Sequence, residues 1–380
     1  MSDSLGELEN CRSEIDEIDR QIVALYERRM SVSERVAAYK IRTGKKILDP
    51  AREQEKLRTL ESLAHGGFNQ RGVRELFQQI MSISRKKQYQ LVQESGGMSR
   101  LPFIPVDQIG GAECRVVYQG AKGSYSEEAL RRFFGSESAS LAVESWRDAM
   151  TAIEEGSADY AVLPIENSTA GIVSQIYDLL AEYENYIVGE QILPVRHCLM
   201  GVPGTTLDSI RTVYSHAQSL MQSERFLSEH ASWQQVSMQN NAFAAKKVAE
   251  DGDIHAAAIA GAYAAEAYGL GILAEGINSS ETNSTRFIIC TNQKVFRRDA
   301  CKISLCLEIP HESGSLYRIL SHFIYNDLSM NRIESRPIEG RNWEYRFFID
   351  FEGNLGDSGV RNALRGLRDE ARNLRILGNY

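Results

Sequence analysis

Four hydrogen-bonding side chains in a row, Glu166-Asn167-Ser168-Thr169, follow an apolar strand pattern ending at Leu163 and precede a helix pattern beginning around Gly171. Polar groups between a strand's carboxyl end and a helix amino end suit an anionic small molecule. The layout recurs downstream. Thr212-Val-Tyr214 leads to His216-Ala217-Gln218-Ser219 and a helix, and Asn283-Ser284-Thr285-Arg286 precedes the apolar run Phe287–Cys290. Isolated Ser, Thr and Asn in loops are mostly turn or cap residues, so only convergence of the three clusters in one cleft would make a site. A different polar position lies near the start. Positions 8, 11, 15, 18, 22, 25, 29, 32, 36 and 39 alternate steps of three and four, and Arg29 interrupts their apolar run between Leu25 and Val32. A guanidinium facing a core is costly unless paired. Arg29 is either partly exposed, a register-setting residue, or the partner of an anionic ligand.

The elements that must position these groups differ along the chain. The heptad seam predicts one helix over about Ser4–Arg42, long enough to need a partner chain or a long neighbour. Thr43-Gly44 ends it, and Asp49-Pro50 starts the next helix as N-cap and first-turn proline. A third helix over 70–92 carries the line Val73, Phe77, Ile80, Ser84, Gln88, Leu91. Ser84 and Gln88 lie one turn apart on it. With Arg29 they outline a polar pocket inside an all-helical bundle. Residues 94–112, with Ser-Gly-Gly and two prolines, read as a linker. Beyond it, strands and helices alternate, which predicts an α/β fold with a largely parallel sheet. Arg115–Tyr118 is the first strand, and Ser124 with Glu127 forms a capping box for the next helix. From Lys302 the pattern becomes βαββαβ, a ferredoxin-like order. Taken alone, that region is a stability or dimerisation domain.

Bulk properties bound the function. At 380 residues the chain holds two to three domains. The net charge of −8 argues against nucleic acid as the main partner. It is uneven: residues 1–95 carry +2 and the other 285 carry −10. Six cysteines without a CxxC pair point to reduced thiols in a cytoplasmic protein. The first residues lack a signal-peptide core, and Ala256–Leu273, interrupted by Glu266, reads as buried structure rather than a membrane span. Neither GxxxxGK[ST] nor GxGxxG after a strand nor HExxH occurs, so no metal or organic cofactor is implied.

The helical region resembles the all-helical chorismate mutases over about residues 5–92. The resemblance rests on Arg12, Glu27-Arg28-Arg29, Lys40, Asp49-Pro-Ala-Arg52-Glu53, Ser84 and Gln88. It implies an intertwined dimer in which Arg12 from the partner chain, Arg29 and Arg52 hold the substrate carboxylates. Lys40 and Gln88 would face the ether oxygen, and Asp49, Glu53 and Ser84 the ring hydroxyl or their neighbours. The rearrangement needs no covalent catalysis, only a held conformer and stabilised charge. Arg28, off the seam, is read as solvated surface.

Residues 113–292 look like prephenate dehydratase through Gly123-Ser-Tyr-Ser126, Pro164-Ile-Glu166-Asn167-Ser168 with Gly171, and Thr285-Arg286-Phe287. The resemblance implies a two-lobed α/β fold that converts prephenate to phenylpyruvate between the lobes. Thr285 would donate to the leaving hydroxyl, and Arg286 would pair with a carboxylate. Asn167, Ser168, Thr169 and Gln218 would orient the substrate, with Glu166 in support. The dehydratases show His-Pro-Gln where this chain has His216-Ala217-Gln218. Residues 300–380 resemble ACT domains, through Glu334-Ser335-Arg336-Pro337 and a turn, Gly314-Ser315-Leu316-Tyr317, that departs from the family's Gly-Ala-Leu-Val at two positions. That implies phenylalanine as effector, held by Gly314, Ser315, Leu316, Glu334, Ser335 and Arg336.

The expected organisation is therefore a mutase domain (1–93), a linker (94–112), a dehydratase domain (113–292) and a regulatory domain (300–380) in a homodimer or higher homo-oligomer. Chorismate and prephenate are the expected substrates, with neither nucleic acid nor membrane as partner. Two enzymes compete with this reading. A mutase fused to prephenate dehydrogenase would need the missing dinucleotide fingerprint, and an arogenate dehydratase would differ only in its substrate's amine. A non-catalytic amino-acid-binding regulator is the rival of another class.

Overall fold

The computed structural model describes residues 2–95, 101–111 and 113–380. Of the expected linker, residues 96–100 and 112 lie outside the described residues. Three helices come first: α1 (Ser2–Thr43), α2 (Pro50–Leu63) and α3 (Gly67–Glu94). The seam, the Asp49 cap and the apolar line of the third helix thus form as their spacing requires. Asp49 Oδ1 accepts the Arg52 backbone N–H at 3.2 Å, which satisfies one orphan donor of α2. Along α1 the seam residues Leu8, Ile15, Ile18, Ile22, Leu25, Val32, Val36 and Tyr39 remain exposed in the single chain.

The linker's second half is not structureless. β1 (Ile104–Val106) follows, then β2 (Arg115–Gln119), α4 (Tyr125–Phe134), β3 (Ala139–Val143) and α5 (Trp146–Glu154). The Ser124 hydroxyl caps α4, but the Glu127 carboxylate accepts from the N–H of Gly123 rather than Ser124. Next come β4 (Tyr160–Asn167), β5 (Gly171–Ile172), α6 (Ser174–Glu182), β6 (Tyr186–Pro194) and β7 (His197–Gly201). They are followed by β8 (Thr212–His216), α7 (Ala217–Gln222), α8 (Glu224–Ser228), β9 (Gln234–Met238), α9 (Asn241–Asp251), β10 (Ala256–Gly261) and α10 (Ala262–Tyr268). The chain then runs through β11 (Gly271–Ala274), β12 (Ser284–Thr291), β13 (Val295–Arg297), β14 (Lys302–Glu308) and α11 (Ser315–Ile324). It finishes with β15 (Met330–Pro337), β16 (Tyr345–Glu352), α12 (Ser358–Glu370) and β17 (Arg372–Asn379). β1 pairs with β13 in a small separate sheet, and Phe103 packs edge-on against Tyr186 at 5.4 Å.

The chain divides into two units. The first comprises residues 1–101, 307–331 and 351–374, the second 102–306, 332–350 and 375–380. In the first, α3 runs beside α1, α2 and α12. Gly366 of α12 has no room for a side chain, since a Cβ there would come within 2.3 Å of the His322 ring on α11. That absence brings the two helices together.

Besides the β1–β13 pair, the second unit carries two larger sheets. One has five strands in the order β11-β7-β10-β8-β9. The other runs β15-β16-β14-β17-β6-β12-β4-β2-β3, with β5 against β4. Neither is largely parallel, contrary to expectation. β12 is antiparallel to both β4 and β6, and β7 is antiparallel to β10 and β11. Two crossings cause this. The chain leaves one sheet between β6 and β7 and returns between β11 and β12, so the incoming and returning strands point opposite ways. Apolar side chains cover the faces of both sheets, with Leu163, Ile176, Leu180 and Ile288 under one face of the larger sheet and Val116, Leu130, Val162 and Ile289 under the other.

Candidate active sites

In the helical unit, seven of the eight expected residues line one cavity of about 970 Å³: Arg29, Lys40, Asp49, Arg52, Glu53, Ser84 and Gln88. Arg12 does not join them. It is exposed on α1, with Glu9 at 3.8 Å. Lys40 Nζ donates to Ile47 O at 2.6 Å and to Gln88 Oε1 at 3.2 Å, and Gln88 Nε2 donates to Ser84 Oγ at 3.3 Å. Ser84 Oγ in turn reaches Ser33 Oγ at 2.8 Å. An ammonium has three protons, so one of those on Lys40 is left over for a ligand. Burial pulls the Lys40 pKa below its ordinary value, with Glu53 opposing. Burial likewise lowers that of Arg29, whose buried Nη1 has no hydrogen-bond partner among the described residues. Arg85, absent from the expected set, also lines this cavity and binds Glu53 at 2.5 Å.

In the second unit the site gathers where the chain crosses between sheets. Thr285 and Asn167 are paired across β12 and β4, and Asn167 Nδ2 donates to Thr285 Oγ1 at 2.9 Å and to Asn283 Oδ1 at 2.8 Å. Asn167 Oδ1 accepts from the Thr169 hydroxyl at 2.8 Å. Gln222 of α7 reaches across from the other sheet. Its Nε2 donates to Thr169 Oγ1 at 2.9 Å, and its Oε1 accepts from Asn283 Nδ2 at 3.0 Å. His197 Nε2 lies 3.0 Å from the same Oε1, and His197 Nδ1 lies 3.1 Å from the Tyr125 hydroxyl. A carbonyl oxygen only accepts, so Nε2 carries the proton. Burial lowers the His197 pKa and keeps the ring neutral. A continuous polar chain therefore runs from Tyr125 to Thr285 through both lobes.

Other expected residues fall differently. Ser168 pins the crossing: its backbone N–H donates to Ser284 O at 2.8 Å and its Oγ accepts the Ser284 N–H at 2.9 Å. His216 caps α7 by accepting the Gln218 N–H, and Gln218 sits one turn before Gln222 on the same face. Glu166 and Arg286 need correction. Both were expected at the substrate, yet neighbouring strand residues point to opposite faces. Since Asn167 and Thr285 turn toward the Thr169–Gln222–Asn283 cluster, Glu166 and Arg286 face away. Glu166 pairs with Arg332. Arg286 donates to Glu190 at 2.7 Å, Asp350 at 2.9 Å and the Tyr380 hydroxyl at 2.7 Å. Burial opposes its charge, but Tyr380, Asp350 and Glu190 outweigh that and raise its pKa.

Gly314 begins α11 in the left-handed conformation, at φ 77°. Gly314, Ser315 and Leu316 belong to the first unit. Glu334, Ser335 and Arg336 belong to the second, on β15, where Arg336 donates to Asp178 at 2.7 Å. Sequence reasoning missed Gln222, His197, Tyr125 and Arg85. Gln222 could have been found from its spacing of four after Gln218. Among the described residues no cluster could hold a metal ion, and no helix is long and apolar enough to cross a membrane.

A helical bundle around a cationic cavity, followed by an α/β region with a hydroxyl–amide cluster, defines a multidomain enzyme with two candidate small-molecule sites. Comparison with known proteins agrees. Residues 11–89 match chorismate mutase type II, and residues 116–295 match prephenate dehydratase. The chain is 32% identical to the bifunctional chorismate mutase/prephenate dehydratase of Enterobacter agglomerans, over 97% of this chain and 94% of that one. It is 36% identical to arogenate dehydratase/prephenate dehydratase 6 of Arabidopsis thaliana over 71% of this chain and 69% of that one. Among solved structures, prephenate dehydratase from Arthrobacter aurescens in complex with L-Phe is similar at 31% identity and a TM-score of 0.65, over 70% of this chain and 89% of that one. A protein described as a novel type of quorum quenching acylase is similar at 32% identity and a TM-score of 0.63, over 70% and 97%. The chain belongs to the bifunctional chorismate mutase/prephenate dehydratase family. It is an enzyme with both activities.

Proposed function

We propose that the cavity of α1, α2 and α3 rearranges chorismate to prephenate, and that the Asn167–Thr285 cleft converts prephenate to phenylpyruvate. One observation carries the mutase assignment: a buried Arg29 Nη1 without a protein partner in a cavity that also holds Lys40, Arg52 and Gln88. A dicarboxylate supplies the missing acceptors. Arg29 and Arg52 hold the carboxylates, and the spare Lys40 proton meets the ether oxygen as charge develops there. Asp49 fixes the start of α2, and Glu53 and Ser84 flank the ring.

In the cleft, Thr285 Oγ1 already accepts from Asn167, which leaves the hydroxyl proton to be donated to the departing ring hydroxyl. Thr169, Gln218 and Gln222 orient the substrate. Loss of water and carbon dioxide then yields the aromatic ring. Arg286 supports this indirectly by anchoring β12. The Arabidopsis relative favours arogenate as a second substrate, which turnover of the two compounds side by side would decide.

Residues 1–93, 113–292 and 300–380 serve as mutase, dehydratase and regulatory parts, joined by 94–112. The βαββαβ order and the strand sequence β15-β16-β14-β17 support a ferredoxin-like, ACT-type regulatory module. Phenylalanine binds it through Gly314, Ser315, Leu316, Glu334, Ser335 and Arg336 and inhibits the dehydratase by feedback, which requires different affinities in two states. The bare seam of α1 supports a homodimer with Arg12 entering the partner's cavity. Six free thiols support a cytoplasmic setting. The test is an ultraviolet assay on chorismate with and without phenylalanine. Loss of the diene followed by phenylpyruvate, slowed by phenylalanine, is expected. No turnover at either step would overturn the reading.

A further inference from the structure

Arg85 follows Ser84 on α3, yet it is 6% exposed and ends on two acids. Its Nη1 meets Glu53 Oε2 and its Nη2 meets Glu370 Oε1, each at 2.5 Å. A guanidinium usually grips one carboxylate with both arms. Here the fork is split, one arm toward the mutase cavity and the other toward α12. Glu370 has a further neighbour in the buried His322, 3.4 Å away. Arg85 also stands in the wall between the mutase cavity and a second cavity of about 660 Å³, and Glu53 lines both.

Adhesion between α3 and α12 alone would not call for this arrangement, since buried ion pairs are often no better than apolar contacts of the same size. Glu53 suggests the other purpose. It shares its cavity with Arg29, Lys40 and Arg52. Its charge already bears on both Arg29 and Lys40. Released from Arg85, this carboxylate would turn to the nearest of those cations and occupy the groups a dicarboxylate substrate needs.

We propose that Arg85 is a positioning residue of the mutase site, holding Glu53 away from the substrate-binding cations. The inference rests on the mutase reading above. Arg85 touches no substrate; it acts through Glu53. The pair with Glu370 anchors the other arm and is not needed for catalysis.

The test measures mutase kcat and KM in the full-length protein. Arg85→Met should raise KM for chorismate by at least about tenfold, the scale of one charge-assisted hydrogen bond, with kcat changed much less. Arg85→Lys, which keeps a cation, should restore most of the loss. It also decides the case if Arg85→Met fails to fold. In a Glu53→Gln background, Arg85→Met should add nothing further, because the carboxylate it restrains has gone. Glu370→Gln breaks the same helix contact and should leave KM within about threefold of wild type on the same scale. An unchanged KM in Arg85→Met overturns the proposal. So does an equal KM rise in Glu370→Gln, which would make Arg85 only an adhesive between helices, or an undiminished effect in the Glu53→Gln background. Full mutase turnover in Arg29→Ala would instead overturn the site itself.

Discussion

Asn167 and Thr285 face each other across an antiparallel strand pair, and the Asn167 amide donates to the Thr285 hydroxyl at 2.9 Å. The bond fixes which way the Thr285 proton can go. Thr285→Ala should reduce dehydratase kcat by about 10²–10³, the usual cost of removing one preorganised donor. Thr285→Ser should retain more, since it keeps the hydroxyl. Mutase turnover measured on the same samples should stay at the wild-type level.

Arg29→Ala should abolish mutase activity while dehydratase turnover with added prephenate persists. Arg12→Ala should do the same if Arg12 serves the partner's cavity. The two inactive proteins then complement each other. In a mixed dimer, one cavity receives Arg29 from its own chain and Arg12 from the other, so both are intact. Random re-pairing of equal amounts should recover about a quarter of wild-type mutase activity, as two-fold symmetry dictates. No recovery after exchange would place Arg12 outside the site.

In the proposed mutase site Lys40 must be an ammonium to stabilise the ether oxygen. Burial lowers its pKa and Glu53 opposes that. The alkaline limb of mutase kcat/KM should therefore fall at a pH below the ordinary lysine value of about 10.4. Glu53→Gln should move the limb lower still, because it removes the opposing charge. A pH profile of both proteins checks the order.

Lys86 gives a stability prediction. Its ammonium donates to Ser321 O and Oγ and lies 3.9 Å from the centre of the Tyr325 ring. Burial, set against Glu370, lowers its pKa to about 8. The unfolded lysine titrates near 10.4. Between those values the unfolded chain binds more protons, so stability contributed by this group rises with pH across that window and is flat on either side. Relative to Lys86→Met, the wild-type urea midpoint should climb from pH 8 to about pH 10. Parallel midpoints would show that Lys86 keeps its charge.

Much of this was legible in the sequence. The alternating steps from Leu8 to Tyr39 gave α1 nearly its full length, and six residues of three helices met the N-cap Asp49 in one cavity. The misreadings share a cause. Glu166–Thr169 and Asn283–Arg286 were taken as loops, so strand alternation was not applied to them. Asn167 and Thr285 in fact still belong to β4 and β12, and that sends Glu166 and Arg286 to the opposite face. His197 carries no local signal, because a lone histidine in an apolar strand becomes part of a site only through contacts made far along the chain. Arg85 lies off the apolar line of α3 and reads as surface. Its burial depends on α12, almost three hundred residues away.

If the exposed stripe of α1 pairs two chains as proposed, one activity depends on the amount of protein. Eight seam side chains stand in water in a lone chain, and the proposed mutase cavity takes Arg12 from a partner, whereas the proposed dehydratase site calls on no partner residue. Dilution should therefore silence the rearrangement before it touches the dehydration, so that the ratio of the two rates reports the population of paired chains.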